Sequence, residues 1–191
     1  MKATQFNFLA FILFQVLFLG SSLAYSQSNT GFFDNFSNNK NKWFVGKGKD
    51  YDNRIENGQY HMYCKKQKGW YYPNLQIFLD PRKDFEFSLK MTQVSGVTNN
   101  GAGILYATDN DKNMNYFITS PDGHFKIGRV KGNKNIHIAK WTKHSAVKKG
   151  LGKTNKLSIV KRGNTVKYQV NGTTVKSIPA NELKFFGRKQ G

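Results

Sequence analysis

Cysteine and glutamate are the scarce residues of this chain. Cys64 is the one cysteine in 191 residues. No internal disulfide can form, so packing alone must hold the fold together. Cys64 itself reads as a small, half-buried strand residue. Glu56, Glu86 and Glu182 are the only glutamates, and between Gly123 and Ala180 there is neither Asp nor Glu. Asp84 and Glu86 share a strand face by parity and read as a solvated or salt-bridged pair. No Gly-x-Ser-x-Gly occurs, which leaves a nucleophilic triad without support. Gly150-Leu151-Gly152-Lys153 is too short for a phosphate-binding glycine loop. The four histidines show no zinc spacing. Helical periodicity is hard to find anywhere, which points away from a helical fold.

Basic residues are plentiful. The net charge is +19, and 14 Lys and Arg fall in the acid-free stretch from Gly123 to Ala180. His124, His137 and His144 lie there too. A single-sign field on this scale attracts polyanions and speeds their association. An acidic polysaccharide, an anionic cell envelope or nucleic acid could be the partner; the plainer alternative is that the lysines keep the protein soluble.

The N-terminal residues indicate export. Lys2 is the only charge before Asp34, an apolar run extends from Phe8 to Leu19 broken by Gln15, and small residues follow through Ala24 and Ser26. That order is a secretory signal peptide, expected as a helix over residues 1–26 with cleavage after Ala24 or Ser26. The apolar run falls short of the about 20 residues needed to span a bilayer. No cysteine lies near the cleavage site to carry a lipid. A secreted or periplasmic protein follows, with nucleic acid the weaker partner. Residues 27–191 then form one domain, large enough for a full hydrophobic core.

Short strands and turns fill that domain. Asn57-Gly58 between β-favouring runs is the strongest hairpin signal. Asp84–Met91 alternates strictly, with Phe85, Phe87, Leu89 and Met91 on one face. Strands follow at 103–108, 115–119 and 124–130, around a polar turn at 109–113 and a Ser-Pro-Asp-Gly turn at 120–123. A hairpin joins 157–160 to 165–170, and Asn171-Gly172 turns the chain into 173–178. Ala146–Gly152 reads as a loop with one helical turn. The fold class expected is all-β, a two-sheet antiparallel sandwich or jelly roll.

The order of motifs adds a resemblance. Phe32, Phe33, Asp34, Asn35 and Phe36 precede Trp43. Ile55, Asn57, Gly58 and Tyr60 follow, then Asp84 to Phe87. Gly101, Gly103, Tyr116 to Ile118, Asp122 to Phe125 and Trp141 come next. Asn155, Leu157, Ile159, Gly163, Val170, Asn171 and Gly172 close the series. Over residues 32–187 the chain resembles the concanavalin A-like lectin/glucanase superfamily in its laminin-G-like jelly-roll branch. That fold hosts lectins, adhesion modules and glycosidases, so the resemblance selects no single function. Such domains finish with a strand after a Gly-Arg-Lys-like turn. Here the sequence stops at Gly191, which implies either a truncated sequence or an open sheet edge able to pair with another chain.

The resemblance also frames the site. Laminarinase-like members use Glu-x-Asp-x-x-Glu on one strand, and no glutamate here has an Asp two residues later. It also implies a possible structural calcium ion at Asp34, with backbone carbonyls as co-ligands; no other cofactor is expected. Asp109, Asp111, Asn113 and Asn115 superficially suggest a calcium loop, but Met114 and Ser120 stand where an EF-hand needs Gly and Glu. A polar hairpin turn is the better reading. Sugar rings stack on aromatic faces, and Trp43, Tyr51, Trp70, Tyr71, Tyr72, Tyr106, Tyr116 and Trp141 are the candidates. Trp43 and Trp141 are expected in the core. Trp70, Tyr71 and Tyr72, beside Lys65, Lys66 and Lys68, form the favoured ligand-binding group, gripping an acidic sugar by stacking and charge. The leading expectation is a secreted module that binds anionic polysaccharide. A glycan hydrolase or lyase with unidentified carboxylates is the alternative, and an adhesion protein pairing through a sheet edge is the third reading.

Overall fold

The computed structural model describes residues 31–65, 69–73, 75, 77, 79–110 and 112–184, together with the backbone of residues 4–9. The side chains of residues 109 and 110 lie outside that description. The described chain is all-β, with one turn of 3-10 helix at Ala180–Glu182. The strands are β1 (Thr4–Leu9), β2 (Gly46–Lys47), β3 (Tyr51–Glu56), β4 (Gln59–Cys64), β5 (Phe85–Gln93) and β6 (Ala102–Asn110). They continue as β7 (Asn113–Ser120), β8 (His124–Lys131), β9 (Lys134–Lys143), β10 (Thr154–Arg162), β11 (Thr165–Val170) and β12 (Thr173–Pro179). No helix among the described residues is long and apolar enough to cross a membrane.

Two antiparallel sheets result. One runs β12-β11-β10-β5-β1-β4-β3-β2 and the other β6-β7-β8-β9. Strand β1 joins a four-stranded block, ending at β5, to a three-stranded block, beginning at β4. It pairs with both, placing Phe8 opposite Tyr60 and Met91. The helix expected at the N-terminus is therefore not what residues 4–9 form. Gln5-Phe6-Asn7-Phe8 alternates polar and apolar residues, and that period suits a strand. The remaining signal-segment residues, and the expected cleavage site, lie outside the described residues.

The turns follow the expected chemistry. Asn57 and Gly58 both have positive φ (52° and 67°), as a two-residue type I′ hairpin requires. Alternation on β5 also holds: Phe85 and Met91 are buried, and Phe87 and Leu89 pack against the same core. From the facing sheet come Ile104, Tyr106, Phe117, Phe125 and Ile127; from β10 to β12 come Leu157, Ile159, Val166, Tyr168, Val170 and Ile178. Each such side chain contributes about 1.5–3 kcal/mol on burial, and interdigitation from two sheets is the packing of a sandwich. Inside it the Tyr106 and Tyr168 hydroxyls bond to each other at 2.7 Å, pairing two polar atoms that would otherwise be stranded.

Two local expectations differ. Residues 146–152 contain no helical turn; they form a loop held by long-range hydrogen bonds. Strand β9 was not expected at all. It is an edge strand with most of its residues exposed, and register shifts against β8 fall between Phe125 and Ile127 and between Ile127 and Gly128. Each shift inserts an unpaired residue, so side-chain parity along the sequence is lost.

Candidate functional site

The four-stranded sheet has two apolar faces. Alternation puts Phe117 and Ile127 toward the main core and leaves Met114, Tyr116, Ile118 and Val130 as a separate buried cluster on the opposite face. Tyr72 and Leu105 pack onto that cluster. Residues 70–72 therefore lie across this face. They alternate as an extended chain does. Trp70 sets its ring 5.2 Å from that of Tyr116, and Tyr72 joins the cluster beneath. Tyr71 turns the other way, packing with the Phe36–Tyr60–Met62 group and lying 6.4 Å from Tyr51.

Tyr116 is fully buried and central. Its ring crosses β8 at Gly128, where no side chain would fit: a Cβ there would lie 2.4 Å from the Tyr116 hydroxyl and 2.5 Å from the Ile136 carbonyl oxygen. The hydroxyl donates to Asn135 Oδ1 at 2.6 Å. Having spent its one proton, it can accept from His137 Nδ1, 3.2 Å away. Burial pushes the phenol up to about 12, so it stays protonated. Burial also lowers the His137 pKa, and the nearby charges of Lys126 and Lys140 lower it further.

Lys126 is the cation of this face. Its Nζ lies 5.6 Å from the centre of the Tyr116 ring and 5.8 Å from that of Trp141, within cation–π range. Burial lowers its pKa. The bulge on β9 explains how Trp141 reaches it. Phe125 pairs with Thr142 and Ile127 with Ala139, so Lys140 and Trp141 together oppose Lys126. Trp141 and Ile118 both close over Gly101, where a Cβ would lie 2.8 Å from the indole and 2.6 Å from the Ile118 Cδ1. Contrary to the expectation of a core role, Trp141 is 40% exposed; Trp70 is 37% exposed.

Among the described residues the face thus offers two exposed indoles, the Lys126 ammonium with the Lys140 charge nearby, an imidazole and a carboxamide. No carboxylate is carried by β7, β8 or β9. Such a surface can stack on the C–H face of a ring and neutralise an anionic substituent beside it.

The other expected residues are placed differently. Lys65 Nζ lies 5.9 Å from the Tyr63 ring, beside the β3–β4 hairpin, and the cation beside the Trp141 indole is Lys126. Lys66 and Lys68 lie outside the described residues. Tyr106 is a core residue. Asp34 is 2% exposed. Its carboxylate accepts the Phe36 N–H at 2.7 Å, Asn41 Nδ2 at 2.7 Å and Trp43 Nε1 at 2.6 Å. It therefore ties the N-terminal segment to Trp43, whose ring packs on Phe36 and Tyr60. Among the described residues no three His, Cys, Asp or Glu side chains converge on a metal position. Asn113 and Asn115 serve the fold: Asn113 accepts the Gly132 N–H, and Asn115 donates to the Lys184 carbonyl. Asp84 and Glu86 are salt-bridged, to Lys161 and Arg162.

Lys126, Asn135 and His137 escaped sequence reasoning. The available signal was Gly132-Asn133, a turn pair with positive φ at both residues (55° and 67°) between two β-favouring runs. Comparisons with protein-family models, with curated proteins and with solved structures find no match to this chain.

Proposed function

We propose that this chain is an exported glycan-binding module of the concanavalin A-like kind, selective for anionic polysaccharide. The observation that carries the reading is Lys126 set between the exposed Trp141 indole and the Tyr116 ring, with the exposed Trp70 indole resting on that same Tyr116, on a sheet face whose strands bear no carboxylate. Pyranose rings stack on the indoles. Lys126 neutralises a carboxylate or sulfate, and Asn135 and His137 are placed to bond ring hydroxyls. The surrounding positive field draws the polymer in. Electrostatic attachment to a polyanion is strongly salt-dependent and stacking is much less so.

Affinity electrophoresis against neutral and acidic polysaccharides, repeated over a salt series, tests this. Retardation by acidic polymers that weakens with salt is the expected result. If no anionic polysaccharide slows the protein at low salt, the reading fails. Release of shortened products in the same mixtures would favour a hydrolase or lyase instead.

A further inference from the structure

The loop between β9 and β10 folds back over the β7–β8 turn and is built to hold its shape. His144 N–H donates to the Gly123 carbonyl at 3.1 Å, Gly150 N–H to Pro121 at 2.8 Å, and Gly152 N–H to Gln93 at 2.8 Å. The Asn155 side chain accepts from Lys148 N–H at 2.9 Å and donates to the Lys148 carbonyl at 3.2 Å. Asn171 Nδ2 donates to the Ala146 carbonyl at 2.8 Å. Val147 is 2% exposed and plugs into the main core. Two side-chain amides, a buried valine and three long-range backbone bonds thus fix the loop before any ligand arrives.

Between loop and turn lies a cleft of about 610 Å³, lined by Gly123, Lys143, His144, Ser145, Lys148 and Lys149 beside Val147. Its charge has one sign. Asp122 is the nearest carboxylate in sequence, and it is engaged by the Ser120 hydroxyl at 2.6 Å and by His124 Nδ1 at 2.9 Å. The stem of Lys149 lies along Gly123, where a Cβ would come within 2.7 Å of its Cγ. His144 Nδ1 accepts the Ala146 N–H at 3.1 Å, so the proton of the neutral ring is on Nε2, a donor. Three lysines, a histidine whose neutral ring donates from Nε2 and a serine line one cleft, a set of donors that matches a compact group with several anionic or acceptor oxygens better than a planar carboxylate.

We infer that this cleft is a second binding site, for a tetrahedral oxyanion: a sulfate or phosphate monoester carried on a polysaccharide. Lys143 follows Trp141 by two residues and pairs across from His124 at the end of β9. The cleft therefore continues the strand that bears the indole. Attachment to a polymer rests on the glycan reading above; the oxyanion site does not.

Two measurements test it. In the first, amide chemical shifts are followed during titration with sodium sulfate, then sodium phosphate, against sodium chloride at matched ionic strength. Shifts concentrated at Gly123 and residues 143–149 are expected; shifts spread evenly over lysine-bearing surfaces overturn the site. In the second, retention on a sulfated polysaccharide, a phosphorylated one and an unesterified uronate polymer is compared for Lys148→Ala/Lys149→Ala, Trp141→Ala, and the exposed control pair Lys167→Ala/Lys176→Ala. The cleft pair should weaken retention on an esterified polymer by about tenfold, as loss of charge-assisted contacts implies, and on the uronate polymer by no more than about twofold. Which ester responds identifies the source. Equal losses for cleft and control pairs overturn the site, because net charge alone would then explain them. If Trp141→Ala changes nothing while the cleft pair does, the indole reading fails and the oxyanion site stands. The reverse result removes the cleft and leaves the indoles.

Discussion

Gly128→Ala is the sharpest perturbation of the proposed face. The new methyl would lie 2.4 Å from the Tyr116 hydroxyl, 2.7 Å from its Cζ and 2.5 Å from the Ile136 carbonyl oxygen. Van der Waals separation requires the ring to retreat by about 1 Å. The carbonyl belongs to β9 and cannot rotate away, so the β8–β9 pairing must open or Tyr116 must leave. Overpacking of this kind costs about 1–3 kcal/mol. Losing the Tyr116–Asn135 hydrogen bond adds about 1 kcal/mol. Together these give roughly 2–4 kcal/mol, a melting temperature lower by roughly 5–15 °C for a domain of this size. Thermal unfolding followed by tryptophan fluorescence is the assay, since Trp70 rests on Tyr116. Gly46→Ala is the control: its methyl would meet only the Phe44 and Tyr51 rings, at 3.7 and 3.9 Å. Adding Tyr116→Phe to Gly128→Ala removes the nearest clash but leaves those with the ring Cζ and the Ile136 carbonyl, so it should rescue only in part. If Gly128→Ala melts with the wild type, Tyr116 does not lie across β8 and the assembly of the face is wrong.

Three further perturbations probe other levels of the account. Tyr168→Phe strands the Tyr106 hydroxyl and should cost about 1–3 kcal/mol, whereas the double phenylalanine variant should cost less than the two singles summed, as a double-mutant cycle in denaturant measures. Burial raises both phenol pKa values, Tyr168 to about 12; their contribution is complete below the ordinary value of 10.0 and is lost as pH rises through the folded value, so the double variant should blunt the alkaline loss of stability. His137 is held below its ordinary 6.5 mainly by burial. It is neutral at pH 7 and gains charge beside Tyr116, Asn135, Lys126 and Lys140 as pH falls, so affinity for an acidic polysaccharide should rise below pH 6.5 and His137→Ala should flatten that rise, read by retention at fixed ionic strength. A chain begun at residue 27 lacks β1, leaving the β4 and β5 edges unpaired. Their amides should exchange faster than in the full chain, and a peptide of the Thr4–Leu9 sequence should restore protection; equal exchange in both chains would show that β1 pairs with neither.

Much of the fold was legible because its signals are local. Asn57-Gly58 and Asn171-Gly172 adopt the positive φ that their turns require, and the Asp84–Met91 alternation translates directly into a core face. The alternation of Trp70, Tyr71 and Tyr72 was also readable, and it does split the three rings between opposite sides. What each side would meet was not, since Tyr116 is 46 residues from Trp70 in sequence and is brought under it only by sheet pairing. Strand β9 was hidden by its own bulges. Two register shifts erase the period of two, and exposed lysines replace the apolar residues of an interior strand. Trp141 was expected in the core from its place in the motif order of the resembled family; it is 40% exposed, on a strand whose bulges the sequence did not announce. The Asp34 hydrogen bonds were not readable either, since two of its three N–H partners are side chains seven and nine residues away, a spacing with no local signature.

The claim of an anionic-glycan face rests on Trp141 and Lys126 acting together. Retention on an acidic polysaccharide at low and high salt, compared among wild type, Trp141→Ala and Lys126→Gln, tests it most directly. Lys126→Gln should lose about tenfold at low salt and less at high salt, as a screened charge does, and Trp141→Ala should lose a similar factor at both, as a stacked ring does. Retention unchanged by either substitution, at either salt concentration, would contradict the account.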